Sequence, residues 1–278
     1  MSQPVAISGM GAVSPIGLCV TSSWENAKSG NSGIQSIPVK EGVRSSIAGI
    51  VNQFHDNYMS AKDVKKYDAF IRYAYEATYQ AIKDAQLDIE SLKHERVAIL
   101  ITSGIGGLRM IQENCLKDDL SPRRGSPFFI PGSLINMAAG VIATEFGFKG
   151  PSFSPVSACA SSSHSLAIAA MLIETDQADV VIAGGAESTI DSVGMSGFGQ
   201  MRALSQRNDD PAGASRPWDK GRDGFVLSDG AGILVLESQR HLKQRNGRAK
   251  AYLSGYGMTS DGYHITSPDP NGDGAGRA

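Results

Sequence analysis

The chain has 278 residues, 41% hydrophobic and 19% charged, with a formal net charge of −2. That composition excludes a disordered chain, and the near-neutral balance gives no global attraction to nucleic acid or an acidic membrane. Three well-separated cysteines (Cys19, Cys115, Cys159) do not make a disulfide framework and fit a reducing cytosol. The five histidines show no HxxxH spacing, which argues against zinc. The start "MSQPVAISGMGAV" lacks the features of a signal peptide, and no apolar run is long enough to cross a bilayer.

In chain order, "VAISG" (5–9) predicts a first strand. The overlapping "SGMGAVSPIG" (8–17) resembles a glycine-rich nucleotide loop but has Ser14 where a third glycine or alanine would stand. A strand-to-helix turn is the better account. Residues 65–85 predict a helix, with Phe70, Ala74, Ala77 and Ala81 on one stripe and Ile71, Tyr75, Thr78 and Ile82 beside it. "RVAILIT" (96–102) predicts a second strand, and "TSGIGG" (102–107) a tight turn without the Lys-Ser/Thr pair of a P-loop. Residues 103–133 are expected as a cap over the sheet, with "SPRRGSPFFIPG" (121–132) as loop.

"SFSPVSA" (152–158) predicts a third strand, running into a helix over 160–173 that is apolar nearly all round and expected to be buried on every side. "DVVIAGG" (179–185) and "GILVLES" (232–238) predict two further strands. Between them "SRPWDKGRDGFVLSDGAG" (215–232) is a loop. Trp218 and Phe225 are expected to pack, and Arg216, Asp219, Arg222 and Asp223 to pair. A sixth strand opens near Ala251, and the expectation is an unpartnered edge with low solubility. Continuous apolar strands alternating with helices predict a layered α/β fold.

Cys159 sits where a strand meets a helix. A free cysteine there is either a small buried hydrophobe or a nucleophile at the positive end of the helix dipole, where free N–H groups stabilise negative charge. Ser161, Ser162 and Ser163 let backbone approach a substrate and can satisfy free helix donors. His164 points to a different helix face and is not assigned as a base.

The stretches "SACASSSHSLAIA", "DVVIAGGAES", "GFGQMRALSQRNDDPAGASRPWDKGRDGFVLSDGAGILVLE" and "GYGMTSDGYHITSPDP" resemble β-ketoacyl-acyl carrier protein synthases, most of all the elongating type II enzymes. The resemblance implies a thiolase-like fold of two similar five-layer α/β halves. It also implies a homodimer joined through an edge strand near the nucleophile. On it, residues 1–248 are the first half with its cap and 249–278 open the second.

The resemblance further implies that Cys159 takes an acyl chain from the carrier as a thioester, with its own N–H as one oxyanion donor. Ile105 and Phe198 would line or gate the acyl pocket, and Asp261 and His264 would support the far side of the site. Lys62, Lys65, Lys66, Arg123, Arg124 and Arg202 fall where the family docks its acidic carrier protein. The implied reaction is a decarboxylative Claisen condensation in a cytoplasmic enzyme, without metal, flavin or nucleotide cofactor. A polyketide-type ketosynthase and a non-catalytic carrier-binding or heterodimer partner are the alternatives. The family's two catalytic histidines, its catalytic-site lysine and its second oxyanion loop have no matching motif in these 278 residues. The expectation is a C-terminally incomplete and inactive chain.

Overall fold

The structure, a computed structural model, describes residues 4–116 and 126–278. Strand β1 (Val5–Val13) leads through a Ser14–Gly17 turn to helix α1 (Val20–Lys28), then to a small hairpin of β2 (Ile34–Ser36) and β3 (Ile47–Gly49). The short α2 (Ala61–Val64) precedes α3 (Ala69–Ala85), which leads to β4 (Val97–Thr102). Helices α4 (Leu108–Cys115), α5 (Phe129–Ser133) and α6 (Met137–Phe146) follow. Next come α7 (Ser161–Glu174), β5 (Val180–Glu187), α8 (Ser192–Gln200), β6 (Gly230–Glu237), α9 (Gln239–Gln244), β7 (Ala251–Leu253) and α10 (Asp273–Arg277).

One mixed sheet organises these elements in the order β4-β5-β6-β1-β7, with β4 and β5 parallel and the other neighbours antiparallel. Strands β4 and β5 are buried on both faces, and the two-residue alternation of side chains assigns each residue to a layer. Val97, Ile99 and Ile101 of β4 join the core under α3 and α6. Ala98 and Leu100 point the other way, into the core under α7. The described residues therefore build three layers, helices on each side of one sheet.

The long amphipathic helix starts at Ala69 rather than 65, because the Asp68 carboxylate accepts the Phe70 N–H and caps it. Residues 61–64 form the separate turn α2. Both expected stripes of α3 are buried. The strand expected over 5–9 continues to Val13, and Gly9 and Gly11 lie within it, beneath α3. A Cβ on Gly11 would stand 1.8 Å from the Ala77 carbonyl oxygen, so these glycines serve close helix–strand packing.

Four other expectations need correction. The cap is partly helical: α5 (129–133) takes up the end of the expected loop, and Pro131 fits there because it stands in the first turn, where its missing N–H costs nothing. Helix α7 is not buried all round, since Ser162 and Ser163 are exposed and Leu166, Ile168 and Met171 only half-buried. Trp218 is 91% exposed rather than packed, while Asp223 does fix its loop by accepting from Ser205 Oγ (2.6 Å) and Gln206 N (2.9 Å). Strand β7 has a partner, pairing Ala251–Leu253 against Val5–Ile7 of β1.

Glu237 at the end of β6 is fully buried between His241 Nδ1 (2.6 Å) and Arg245 Nη2 (2.6 Å). Burial alone would raise its carboxyl pKa, but Arg245 and then His241 reverse that and hold it at about 2. Arg96, ahead of Arg240, likewise holds Asp179 at about 2. Both values are depressed below the ordinary carboxylate range. Their stabilisation is complete above it and is lost as pH falls from about 4.5 towards 2. Urea midpoints should drop steeply across that window. In Glu237→Gln the midpoint should be lower at pH 7, and the stability lost between about pH 4.5 and 2 should be smaller by about 3 kcal/mol for this one group.

Candidate active site

The segment ahead of Cys159 is extended beside β4, yet only Ser152 forms a ladder bridge, with Ile99. The strand expected over 152–158 does not propagate, because Pro155 has no N–H to give. Hydroxyl groups replace the ladder: Ser154 Oγ donates to Ile101 O (2.5 Å) and Thr102 Oγ1 to Pro155 O (2.7 Å). The chain then turns sharply. Ala158 has φ +53°, and residues 158–160 form one 3-10 turn that feeds α7. A left-handed alanine needs its surroundings to hold it. Ser161 Oγ does so, accepting from Ser157 N (2.8 Å) and donating to Ala158 O (2.7 Å).

Two contacts seat this elbow on the sheet. Ser165 Oγ donates to Leu100 O. Gly185 of β5 lies so close to α7 that a Cβ there would meet Ser162 Oγ at 2.1 Å. The elbow presents Cys159, an exposed thiol, at the wall of a cavity of about 880 Å³. His164 is turned aside, with Nδ1 2.5 Å from Ser157 Oγ, and among the described residues no histidine lines the cavity.

The cavity brings together Cys159, Ile105 and Phe198, three residues expected there from sequence. Phe198 meets Phe225 edge-to-face at 5.4 Å, so Phe225 packs even though Trp218 does not. Asp261 and His264 do not line the cavity. Both are exposed and organise their own loop: Asp261 Oδ2 accepts from Asp269 N (3.0 Å), and His264 Nδ1 from Thr266 N (3.2 Å) and Ser267 N (3.1 Å). That loop contributes Thr266 to the cavity wall.

Two acidic residues of the wall, Glu187 and Asp229, were not expected. Asp229 is buried, and burial pushes its carboxyl up to about 6. The signal was present in "GGAES" and "LSDGAG", where an acid closes or opens an apolar strand.

The basic residues diverge. Lys62 and Lys65 are exposed and face solvent on and beside α2. Lys66 is half-buried, bound to Asp63 (2.5 Å) and set over the Phe128 ring (5.1 Å). Arg202 is exposed and lines a second, smaller cavity with Glu41 and Arg44. Arg123 and Arg124 lie outside the described residues.

Residues 2–241 match the family described as Beta-ketoacyl synthase, N-terminal domain. This chain belongs to the β-ketoacyl synthase family. It is 44% identical over 278 residues to the 3-oxoacyl-[acyl-carrier-protein] synthase 2 of Vibrio harveyi, covering 99% of this chain and 67% of that one. Its fold superposes on a β-ketoacyl synthase from Burkholderia phymatum with a TM-score of 0.87 at 27% identity, over 96% of this chain and 67% of the other. A ketosynthase in complex with its type II PKS acyl-carrier protein, bound to the hexaketide, gives a TM-score of 0.85 at 27% identity, over 96% and 65%.

The chain therefore spans about two thirds of the length of the relatives it matches. The fold is thiolase-like, as these ketosynthases are. The class of reaction is acyl transfer, and the relatives at 42–44% identity are 3-oxoacyl-[acyl-carrier-protein] synthases of fatty-acid biosynthesis.

Proposed function

We propose that Cys159 accepts an acyl group from an acyl carrier protein, the first half of a decarboxylative Claisen condensation with a malonyl-carrier. The observation that carries this reading is an exposed thiol on a braced elbow, facing a cavity walled by Ile105 and Phe198. The thiolate sulfur attacks the thioester carbonyl and the charge moves to oxygen, where the Cys159 N–H is assigned to receive it. Collapse expels the carrier's thiolate, which takes from solvent a proton equivalent to the one Cys159 released on ionising, and leaves the acyl group on Cys159. The condensation that would follow needs donors to polarise the thioester and stabilise the malonyl-derived carbanion. The reading for these residues is therefore acyl loading and chain accommodation.

Residues 1–248 serve as the nucleophile-bearing half and 249–278 as the opening of the second, a division supported by the family match ending at residue 241, with β7 reaching back to pair with β1 in the sheet of the first half. A second copy would pair along the 152–158 edge beside β4, where Phe153 (40%) and Val156 (52%) are exposed. The reaction belongs to the cytoplasm, and among the described residues no helix is long and apolar enough to cross a membrane.

The acidic carrier docks on Lys62, Lys65 and Arg202, which are exposed. Lys66 contributes less, because its charge is already matched by Asp63. Lys62→Glu combined with Lys65→Glu should lower capture of acyl carrier protein by about tenfold or more, through like-charge repulsion at a complementary surface. Lys66→Glu should have the smaller effect. Wild-type capture by the double variant, measured by surface plasmon resonance at low salt, would remove this surface from the account.

A further inference from the structure

We infer that Glu187 is a positioning residue for the acyl cavity: its carboxylate holds the Ser103–Gly106 loop so that Ile105 forms the wall, and thereby sets which acyl chain lengths reach Cys159. This rests on the acyl-loading reading and adds a determinant of its selectivity.

The placement follows from the sheet. Strands β4 and β5 are parallel neighbours with Thr102 opposite Gly185, so Glu187, two residues further on, stands beside the loop that leaves β4. Its two oxygens are both engaged there. Oε1 accepts from Ser103 Oγ at 2.7 Å, and Oε2 from Gly104 N at 2.8 Å. Ser103 Oγ in turn accepts from Gly106 N at 2.8 Å, so one carboxylate organises the turn on both sides of Ile105.

The fit is close on the other flank too. A Cβ on Gly104 would be 2.9 Å from Glu187 Oε2 and 3.4 Å from Ala158 O, so the loop lies between the carboxylate and the nucleophile elbow. Ile105, at the tip, is 39% exposed and faces the cavity. Position and chemistry both demand a carboxylate. Only an ionised acid offers acceptors on both oxygens with no donor, whereas glutamine would turn an NH₂ group towards one of the two donors. A displaced loop carries Ile105 with it, and the cavity changes depth.

The test uses the 278-residue chain in four forms: wild type, Glu187→Gln, Ile105→Ala and the double variant. Each is offered acyl carrier protein loaded with butanoyl or dodecanoyl groups, and separately N-butyl and N-dodecyl iodoacetamide, with Cys159 modification followed by intact mass. Glu187→Gln should shift the dodecanoyl-to-butanoyl ratio by about tenfold, the scale of one hydrogen bond to a charged group. The iodoacetamide ratio should move the same way. In the Ile105→Ala background the same substitution should shift neither ratio, because the two residues act through one wall.

Should Glu187→Gln lose its cooperative melt, Ser103→Ala removes one of the two donors and should give a smaller shift in the same direction. Unchanged ratios in a folded variant, or an equal shift in the Ile105→Ala background, would overturn the inference. If the carrier fails to acylate Cys159 while the iodoacetamide ratios behave as stated, acyl loading is refuted and the role of Glu187 in the cavity stands.

Discussion

Gly11→Ala is expected to leave the chain unfolded or destabilised by more than about 4 kcal/mol, a large share of the roughly 5–15 kcal/mol that holds a typical domain. The added methyl would stand 1.8 Å from the Ala77 carbonyl oxygen and 2.9 Å from the Ala81 nitrogen. These are backbone atoms of α3, so no side chain can swing aside to relieve the clash. Relief requires lifting the whole helix, and with it the buried Phe70, Ile71, Ala74 and Ala77. Strand β1 cannot retreat either, being paired with β6 from Gly9 to Val13. Gly140→Ala is the informative contrast. It lies inside α6 with Met137 Sδ as the nearest atom, at 3.7 Å, and should stabilise the chain by about 0.5–1 kcal/mol. Urea titration of both variants checks the pair. A Gly11→Ala midpoint close to wild type would show that α3 does not pack on β1 in this way.

Cys159→Ala should abolish acyl loading, with a loss of at least about 10³-fold in the rate of acyl transfer from the carrier. No neighbour can substitute. The Ser161 hydroxyl is committed on both sides to the backbone of the elbow, and His164 is bound to Ser157 rather than turned to the cavity. Ser162 lines the cavity, but its hydroxyl is pressed against Gly185 and has no base beside it. Cys159→Ser should be nearly as inactive, since an un-ionised hydroxyl without a general base is a poor nucleophile. Both variants should keep the wild-type melt, because the side chain is exposed and makes no core contact. Intact-mass kinetics with acyl-carrier separates this outcome from one in which Cys159 is a bystander.

The sheet was legible because its strands are short apolar runs bounded by turns, and the periodicity of α3 was legible because its stripe repeats over about three turns. Local patterns could not show what touches what. Gly9 reads as a strand end and Gly11 as a turn residue, since the helix that demands them lies more than sixty positions further on. Residues 152–158 have strand composition, yet Pro155 stops the ladder and serine and threonine hydroxyls complete the pairing. Trp218 was expected to pack by residue type alone, and it stands in solvent.

The site shows the same division. Cys159 was marked by its position between strand and helix, and Ile105 and Phe198 by resemblance, and all three meet at one cavity. Glu187 was missed because an acid at the end of a strand usually faces water. Its function depends on a loop more than eighty residues earlier in the chain. Lys66 is grouped with Lys62 and Lys65 by resemblance, but one turn of chain brings Asp63 to it.

The most direct test of acyl loading is to incubate the chain with hexanoyl-loaded acyl carrier protein, digest it, and map the acyl group by mass spectrometry. The account predicts a single hydroxylamine-labile hexanoyl group on the peptide that contains Cys159. No adduct on a Cys159 that remains open to alkylation, or an adduct carried instead by the exposed Cys115, would contradict it.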